Sequence, residues 1–223
     1  MSQFVVHSVP GSPYGRAVLA TLVEKGASHR VSPVMPGTLK VEPHVSRHPF
    51  GRVPVLEHDG FMLYETQAIV RYIDRAVPGP ALTPTDVKAI ARMDQVMNVC
   101  DWYLFQGVGS VIGFQRVVGP RLLGLPTDEA AIAQAMPKAH AVFGELSRIL
   151  GESSYFAGDQ VTLADLMIAA HLDFFVQTPE WTPLTAATPN LVRWLARMND
   201  RPCMQQTTWE RVALQAAAAA QAA

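Results

Sequence analysis

The hydrophobic pattern changes its period partway along the chain. Phe4-Val5-Val6 is a short run of strand formers, and it enters Val9-Pro10-Gly11-Ser12-Pro13, a turn-forming sequence. Pro13 suits the first turn of a helix, where its missing amide hydrogen costs little. Val18, Leu19, Leu22 and Val23 then recur at helical spacing, and Gly26 offers the stop, so the opening reads as strand, loop, helix. Residues 27–52 are less regular. Val31 marks a second strand, and prolines at 33, 36, 43 and 49 exclude one long helix, although Pro43 suits the start of a short one. Pro54-Val55-Leu56-Glu57-His58 and Phe61-Met62-Leu63-Tyr64 flank Asp59-Gly60, a strong hairpin signal. Glu65 opens a further helix, with Ile69, Val70, Tyr72 and Ile73 spaced to pack on a sheet, and Pro78-Gly79-Pro80 ends the unit.

From about residue 84 the period is helical throughout. Val87, Ile90, Ala91, Met93 and Met97 lead into a stretch rich in aromatic residues and glycine from Trp102 to Phe114. A helix is expected from Asp128 to Leu150 with a kink at Pro137. Thr162-Leu163-Ala164-Asp165 has the spacing of an N-terminal cap, followed by the apolar run Leu166–Ala170. Pro189 to Arg201 reads as one more helix containing Leu191, Trp194, Leu195 and Met198, and the alanine-rich end, 212–223, as a helical or frayed tail.

Composition narrows the function. With 223 residues, 49% of them hydrophobic, the chain can bury a core without metal or disulfide staples, as one large domain or two small ones. Its 18 basic and 19 acidic side chains leave a formal charge of -1 and no basic run, so no nucleic-acid partner is expected. No apolar segment has membrane-spanning length, so no membrane partner is expected either. The two cysteines, Cys100 and Cys203, follow an opening without a basic and apolar leader, which points to a reducing, cytoplasmic setting. There is neither a C-x-x-C pair nor a cysteine zinc cluster. The seven histidines, His7, His29, His44, His48, His58, His140 and His171, form no ligand spacing, so no metal is expected.

Three segments bring the chemistry into view: Gly11-Ser12-Pro13-Tyr14-Gly15-Arg16-Ala17-Val18-Leu19-Ala20, His48-Pro49-Phe50-Gly51-Arg52-Val53-Pro54-Val55-Leu56, and Tyr64-Glu65-Thr66-Gln67-Ala68-Ile69-Val70-Arg71-Tyr72-Ile73. Together with Phe156–Asp165 downstream, their order and spacing resemble the soluble, cytosolic-type glutathione transferases along nearly the whole chain. The first half is most similar to the plant-type phi group and related bacterial members. The resemblance implies an α/β thioredoxin-like N-terminal domain, residues 1–80, that binds glutathione. An all-helical C-terminal domain, 81–223, would contribute the electrophile site, usually in a homodimer. It also implies a cis peptide before Pro54.

Carried over by motif position, Val53 would pair its backbone with the cysteinyl part of glutathione beside Pro54. Glu65 and Thr66 would hold the γ-glutamyl end, where a helix start suits a carboxylate. Lys40 and Arg52 fall where basic groups meet the glycyl carboxylate. Ser12 matches the family serine: its hydroxyl would donate to the thiolate and lower the thiol pKa, so it stabilises the nucleophile and is not itself the nucleophile. A serine-protease reading fails because no G-x-S-x-G elbow accompanies it. Tyr14, Trp102, Tyr103, Phe105, Phe114 and Gln115 fall where the family lines an apolar electrophile pocket.

Blander roles stand beside these. Ser12 alone reads as a helix cap, Glu65 as a solvated first-turn acid, Lys40 and Arg52 as surface charges, and the aromatic residues as helix packing. Ser8 and Tyr14 compete with Ser12, the latter since some relatives use tyrosine, and Phe50 reads either as an intersubunit plug or as packing within its own domain. Thr162 and Asp165 read as a structural cap. The sequence departs from the family pattern at Thr66 for serine, His48 for asparagine and Arg52 for glutamine. The expected function is conjugation of the glutathione thiolate to small hydrophobic electrophiles, a detoxification reaction with glutathione as cosubstrate. A glutathione-dependent peroxidase, isomerase or dehalogenase would use the same thiolate. The contrasting class is a noncatalytic ligand carrier or interaction protein.

Overall fold

The computed structural model describes residues 3–221. By contact the chain divides into two units: one runs to Thr83 and takes back the chain from Asn199 onward, and the other is Pro84–Met198.

In the first unit, β1 (Phe4–Ser8) is buried at every position because it is an inner strand of a four-stranded sheet ordered β2-β1-β3-β4. Helix α1 (Pro13–Glu24) starts with Pro13 just inside its N-terminus and ends on Gly26 at φ +67. There Gly26 N–H bonds Val23 O at 3.0 Å and Ala27 N–H bonds Leu22 O at 2.9 Å, a closure that requires the left-handed conformation glycine adopts freely. The parallel partner β2 (His29–Pro33) follows, then a single 3-10 turn (Pro36–Thr38) and the short α2 (His44–Arg47). Strands β3 (Val55–His58) and β4 (Phe61–Tyr64) form an antiparallel hairpin. Its turn has Asp59 at φ 50 and Gly60 at φ 79, the double positive φ of a type I′ turn that the Asp-Gly pair predicts. Helix α3 (Thr66–Ala76) buries Ile69, Val70 and Ile73 and packs beside α1.

One ion pair ties this unit's far edge together. Lys25 Nζ, at the end of α1, donates to Asp74 Oδ1 at 3.1 Å and to Asp74 O and Pro80 O, with its side chain only 2% exposed. Asp74 also accepts from Leu82 N and Thr83 Oγ1, which holds the segment after Pro78-Gly79-Pro80 against α3. A buried pair stands only when such extra bonds satisfy it.

The second unit is helical. It contains α4 (Val87–Val99), an interrupted helical stretch (Cys100–Val118), α5 (Gly119–Leu123), α6 (Glu129–Leu150), α7 (Leu163–Val176), α8 (Trp181–Thr185) and α9 (Pro189–Asn199). Helix α6 is continuous across Pro137. In α7 every residue from Leu163 to Leu172 is buried, so it is the central helix of this unit. Asp165 lies within it, accepting from Phe156 N at 3.0 Å, Thr162 N at 2.9 Å, Thr162 Oγ1 at 2.7 Å and Trp194 Nε1 at 3.1 Å.

The remaining helices, α10 (Pro202–Gln206) and α11 (Trp209–Gln221), return to the first unit, α10 against α1 and α11 against β2. Arg16 donates to Met204 O at 3.1 Å, and Arg201 pairs with Glu24. The helical pattern and the family resemblance lead one to expect a single helical domain over 81–223; by contact, the chain from Asn199 onward clusters with the first unit.

Candidate functional site

Strand register brings the motif segments to one end of the sheet. Ser8, the last residue of β1, lies opposite Pro33 at the end of β2. His7 lies opposite Val55, the first residue of β3, and Val55 lies opposite Tyr64, the last residue of β4. The Ser12 loop, the Val53-Pro54 segment and the Glu65-Thr66 turn therefore all leave the sheet from the same end. The Val53–Pro54 peptide is cis, as the resemblance implies, and so is Glu42–Pro43, which nothing in the sequence singles out.

Ser12 is the N-cap of α1. Its Oγ accepts from Gly15 N at 3.2 Å, and its own N–H closes the turn onto Val9 O at 3.1 Å. Accepting through oxygen leaves the hydroxyl hydrogen available to an external acceptor, so capping and donation are compatible in one side chain. Gly15 leaves room for the Ser8 side chain: a Cβ at this position would meet Ser8 Oγ at 2.1 Å and force that hydroxyl to move.

Helix α3 begins differently. Its N-cap, Glu65, stands at φ 71 and makes no capping bond, and Thr66 is buried at the first helical position. An N-terminus not closed by its own cap keeps amide hydrogens for an external carboxylate, and the exposed Glu65 carboxylate beside it suits an ammonium. That pairing of opposite needs at adjacent residues matches an α-amino acid end.

The basic residues lie close together in the loop. A Cβ on Gly51, at φ +60, would meet Leu39 O and Lys40 Cγ, both at 2.9 Å, so the Lys40 stem lies against the residue preceding Arg52. Both Lys40 and Arg52 are exposed. Two histidines shape this loop. His44, buried in α2, places Nε2 2.7 Å from Arg52 O, and His48, also buried, stacks at a tilt on Tyr64 with ring centroids 4.7 Å apart. Burial, with the nearby His44 and Arg52, holds the His48 pKa below the ordinary histidine value, so the ring is neutral where it packs. A histidine is polar in composition and aromatic in packing, so its burial here leaves no periodic signal.

The remaining predicted residues divide by unit. Tyr14 is half-buried in the first turn of α1. In the second unit the Cys100–Val118 stretch breaks at Gln106 and Gly107, the latter at φ 76. Lys138 Nζ donates to Gln106 O, and Gly107 N donates to Ser110 Oγ at 3.0 Å, so the break is satisfied on both sides. Trp102 is 65% and Tyr103 56% exposed, whereas Phe105 packs edge-on against His171. Phe114 is half-buried, and Gln115 Oε1 accepts Asp128 N at 2.9 Å, which engages that side chain in starting α6. Thr162 and Asp165 form a capping box at the start of α7. Among the described residues, no three His, Cys, Asp or Glu side chains are grouped to hold a metal ion, and no helix is long and apolar enough to cross a membrane.

The family model described as "Glutathione S-transferase, N-terminal domain" matches residues 6–81, and "Glutathione S-transferase, C-terminal domain" matches 106–202. A glutathione S-transferase of Hyoscyamus muticus is 34% identical over 201 residues, covering 88% of this chain and 93% of that protein. The apo structure of a glutathione S-transferase III superimposes with a TM-score of 0.81 at 30% identity, over 92% of this chain and 95% of that one. A glutathione S-transferase-I bound with lactoylglutathione superimposes with a TM-score of 0.81 at 25% identity, over 95% and 99%. The α/β unit followed by a helical unit is thus the thioredoxin-like and all-helical pairing that the motifs lead one to expect. This chain belongs to the glutathione S-transferase family.

Proposed function

We propose that the protein is a phi-like glutathione transferase that conjugates the glutathione thiolate to small hydrophobic electrophiles. The observation that carries this reading is the convergence of the Ser12 cap, the Val53-Pro54 segment and the Glu65-Thr66 helix start at one end of the sheet. Glu65 takes the γ-glutamyl ammonium, and Thr66 with the first amides of α3 takes its carboxylate. The Val53 backbone pairs with the cysteinyl residue, and Lys40 and Arg52 take the glycyl carboxylate. This leaves the thiol beside Ser12. Its hydroxyl donates to the thiolate while its oxygen accepts from Gly15, so the charge is stabilised without transfer of the hydroxyl proton. The thiolate then forms a bond to the electrophilic carbon as the leaving group departs. Within the second unit, Trp102 and Tyr103 are exposed aromatic side chains, surface of the kind a hydrophobic acceptor needs.

A homodimer accords with two apolar surfaces of the first unit. Phe50 is 67% exposed, and a depression of about 460 Å³ between β4 and α3 is lined by Phe61, Leu63 and Tyr72, with Arg71 and Arg75 beside them.

The test is titration with glutathione, followed by a panel of aryl halides, epoxides and hydroperoxides, on the wild type and Ser12→Ala. The variant is expected to fold and to bind glutathione. Its bound thiol should titrate at higher pH, and kcat/KM at neutral pH should fall by about a hundredfold. An unchanged pH–rate profile and turnover would reject the role of Ser12. Glutathione binding with no turnover across the panel would favour the ligand-carrier class.

A further inference from the structure

The loop that carries Ser12 is covered by the last helix of the chain. A Cβ built on Gly11, at φ +87, would meet Trp209 Cδ2 and Cε2 at 2.6 Å and Cε3 at 2.8 Å, so the indole lies flat against the Gly11 α-carbon. Gly11 immediately precedes Ser12, and the intervening backbone is part of the turn closed by Ser12 N–H on Val9 O. The helix that carries Trp209 is itself fixed to this unit, since α11 packs against β2, the strand whose last residue pairs with Ser8. The preceding segment grips α1 at both ends, through Arg16 to Met204 O and through Glu24 to Arg201.

We propose that Trp209 is a positioning residue for thiol activation. Its ring braces Gly11 and thereby sets where the Ser12 hydroxyl stands relative to the bound sulfur. Three restraints act on Ser12. The turn bond and the Gly15 cap are local and fix its orientation within the loop. The indole face bears on the loop from a helix far along the chain, and so holds it against the rest of the fold. A hydrogen bond to a thiolate weakens steeply with misalignment, so a loop free to shift by a fraction of an ångström loses donation without losing the other glutathione contacts. Those contacts, at Val53, Glu65 and Thr66, lie on other segments, so binding and activation are separable.

The inference rests on the glutathione reading of the same site, and the experiment separates the two. Wild type, Trp209→Ala, Trp209→Phe and the control Leu214→Ala, an exposed position on the same helix, are compared by calorimetric titration with glutathione and by the pH dependence of kcat/KM toward a chlorodinitrobenzene. In Trp209→Ala the rising limb of the profile is expected to move up by about one pH unit, with kcat/KM at neutral pH down about tenfold and Kd for glutathione within about threefold of wild type. Trp209→Phe, which keeps a flat ring, should recover most of the shift, and Leu214→Ala should match wild type. An unmoved profile in a folded Trp209→Ala overturns the inference, as does a parallel loss of binding and rate with no shift. If Trp209→Ala does not fold, Trp209→Leu carries the same comparison with the same criteria. A wild type that fails to bind glutathione overturns the parent reading as well, before any variant is measured.

Discussion

Glu65 stands at φ 71, a backbone region that side chains other than glycine, asparagine and aspartate seldom enter, and its carboxylate is exposed. Such a conformation costs on the order of 1–3 kcal/mol and persists where the surroundings over-determine it. Glu65→Gln keeps the backbone and removes the charge, so the melting temperature should be unchanged. Glutathione Kd should rise by roughly ten- to hundredfold, corresponding to about 1.5–3 kcal/mol for a charge-assisted bond. Calorimetry beside a thermal melt checks this, and equal affinity in the variant would remove Glu65 from the site. The motif identifies Glu65, but its positive φ is set by the passage from β4 into α3, which no residue type announces. His44 and Trp209 were beyond the sequence for a similar reason. Each acts through a tertiary contact, to Arg52 O eight residues on and to Gly11 at the other end of the chain, that periodicity does not encode.

At the scale of elements, caps and turns were readable because their chemistry is local. Asp59-Gly60 gives a turn with two positive φ values, and Thr162-x-x-Asp165 gives a capping box. The cap turns out to do more than start a helix, because Asp165 also takes Phe156 N–H and the Trp194 indole from two other segments. Thr162→Ala should therefore cost about 1 kcal/mol, the usual worth of a cap. Asp165→Ala strands several buried donors and should cost about 3–5 kcal/mol. Urea unfolding with unchanged m-values measures both, and similar losses in the two variants would show that the distant bonds contribute little. The interruption at Gln106 and Gly107 was hidden because Lys138, from a separate helix, satisfies the carbonyl it exposes.

For the molecule as a whole, three buried histidines share one sign of pH dependence. Burial is the largest cause lowering the pKa of His7 in β1, of His48 beside Tyr64, and of His171 in α7. Each binds a proton more readily unfolded than folded, so the stability they contribute is complete above about pH 6.5. It is lost as pH falls from there through their lowered folded values. The melting temperature should decline between about pH 6.5 and 5, before most carboxylates titrate, and replacing His48 by asparagine should flatten part of that slope. A melting temperature constant across this window would show that these rings titrate normally.

The return of α10 and α11 to the first unit sets the order in which the protein can be finished. A nascent chain that has emerged as far as Met198 already contains all four strands and the complete second unit, yet still lacks Met204, the acceptor for Arg16, and the ring that covers Gly11. The unit encoded first is thus the last to be completed, and a message truncated just before Trp209 specifies every glutathione-contacting residue proposed here without the brace behind Ser12.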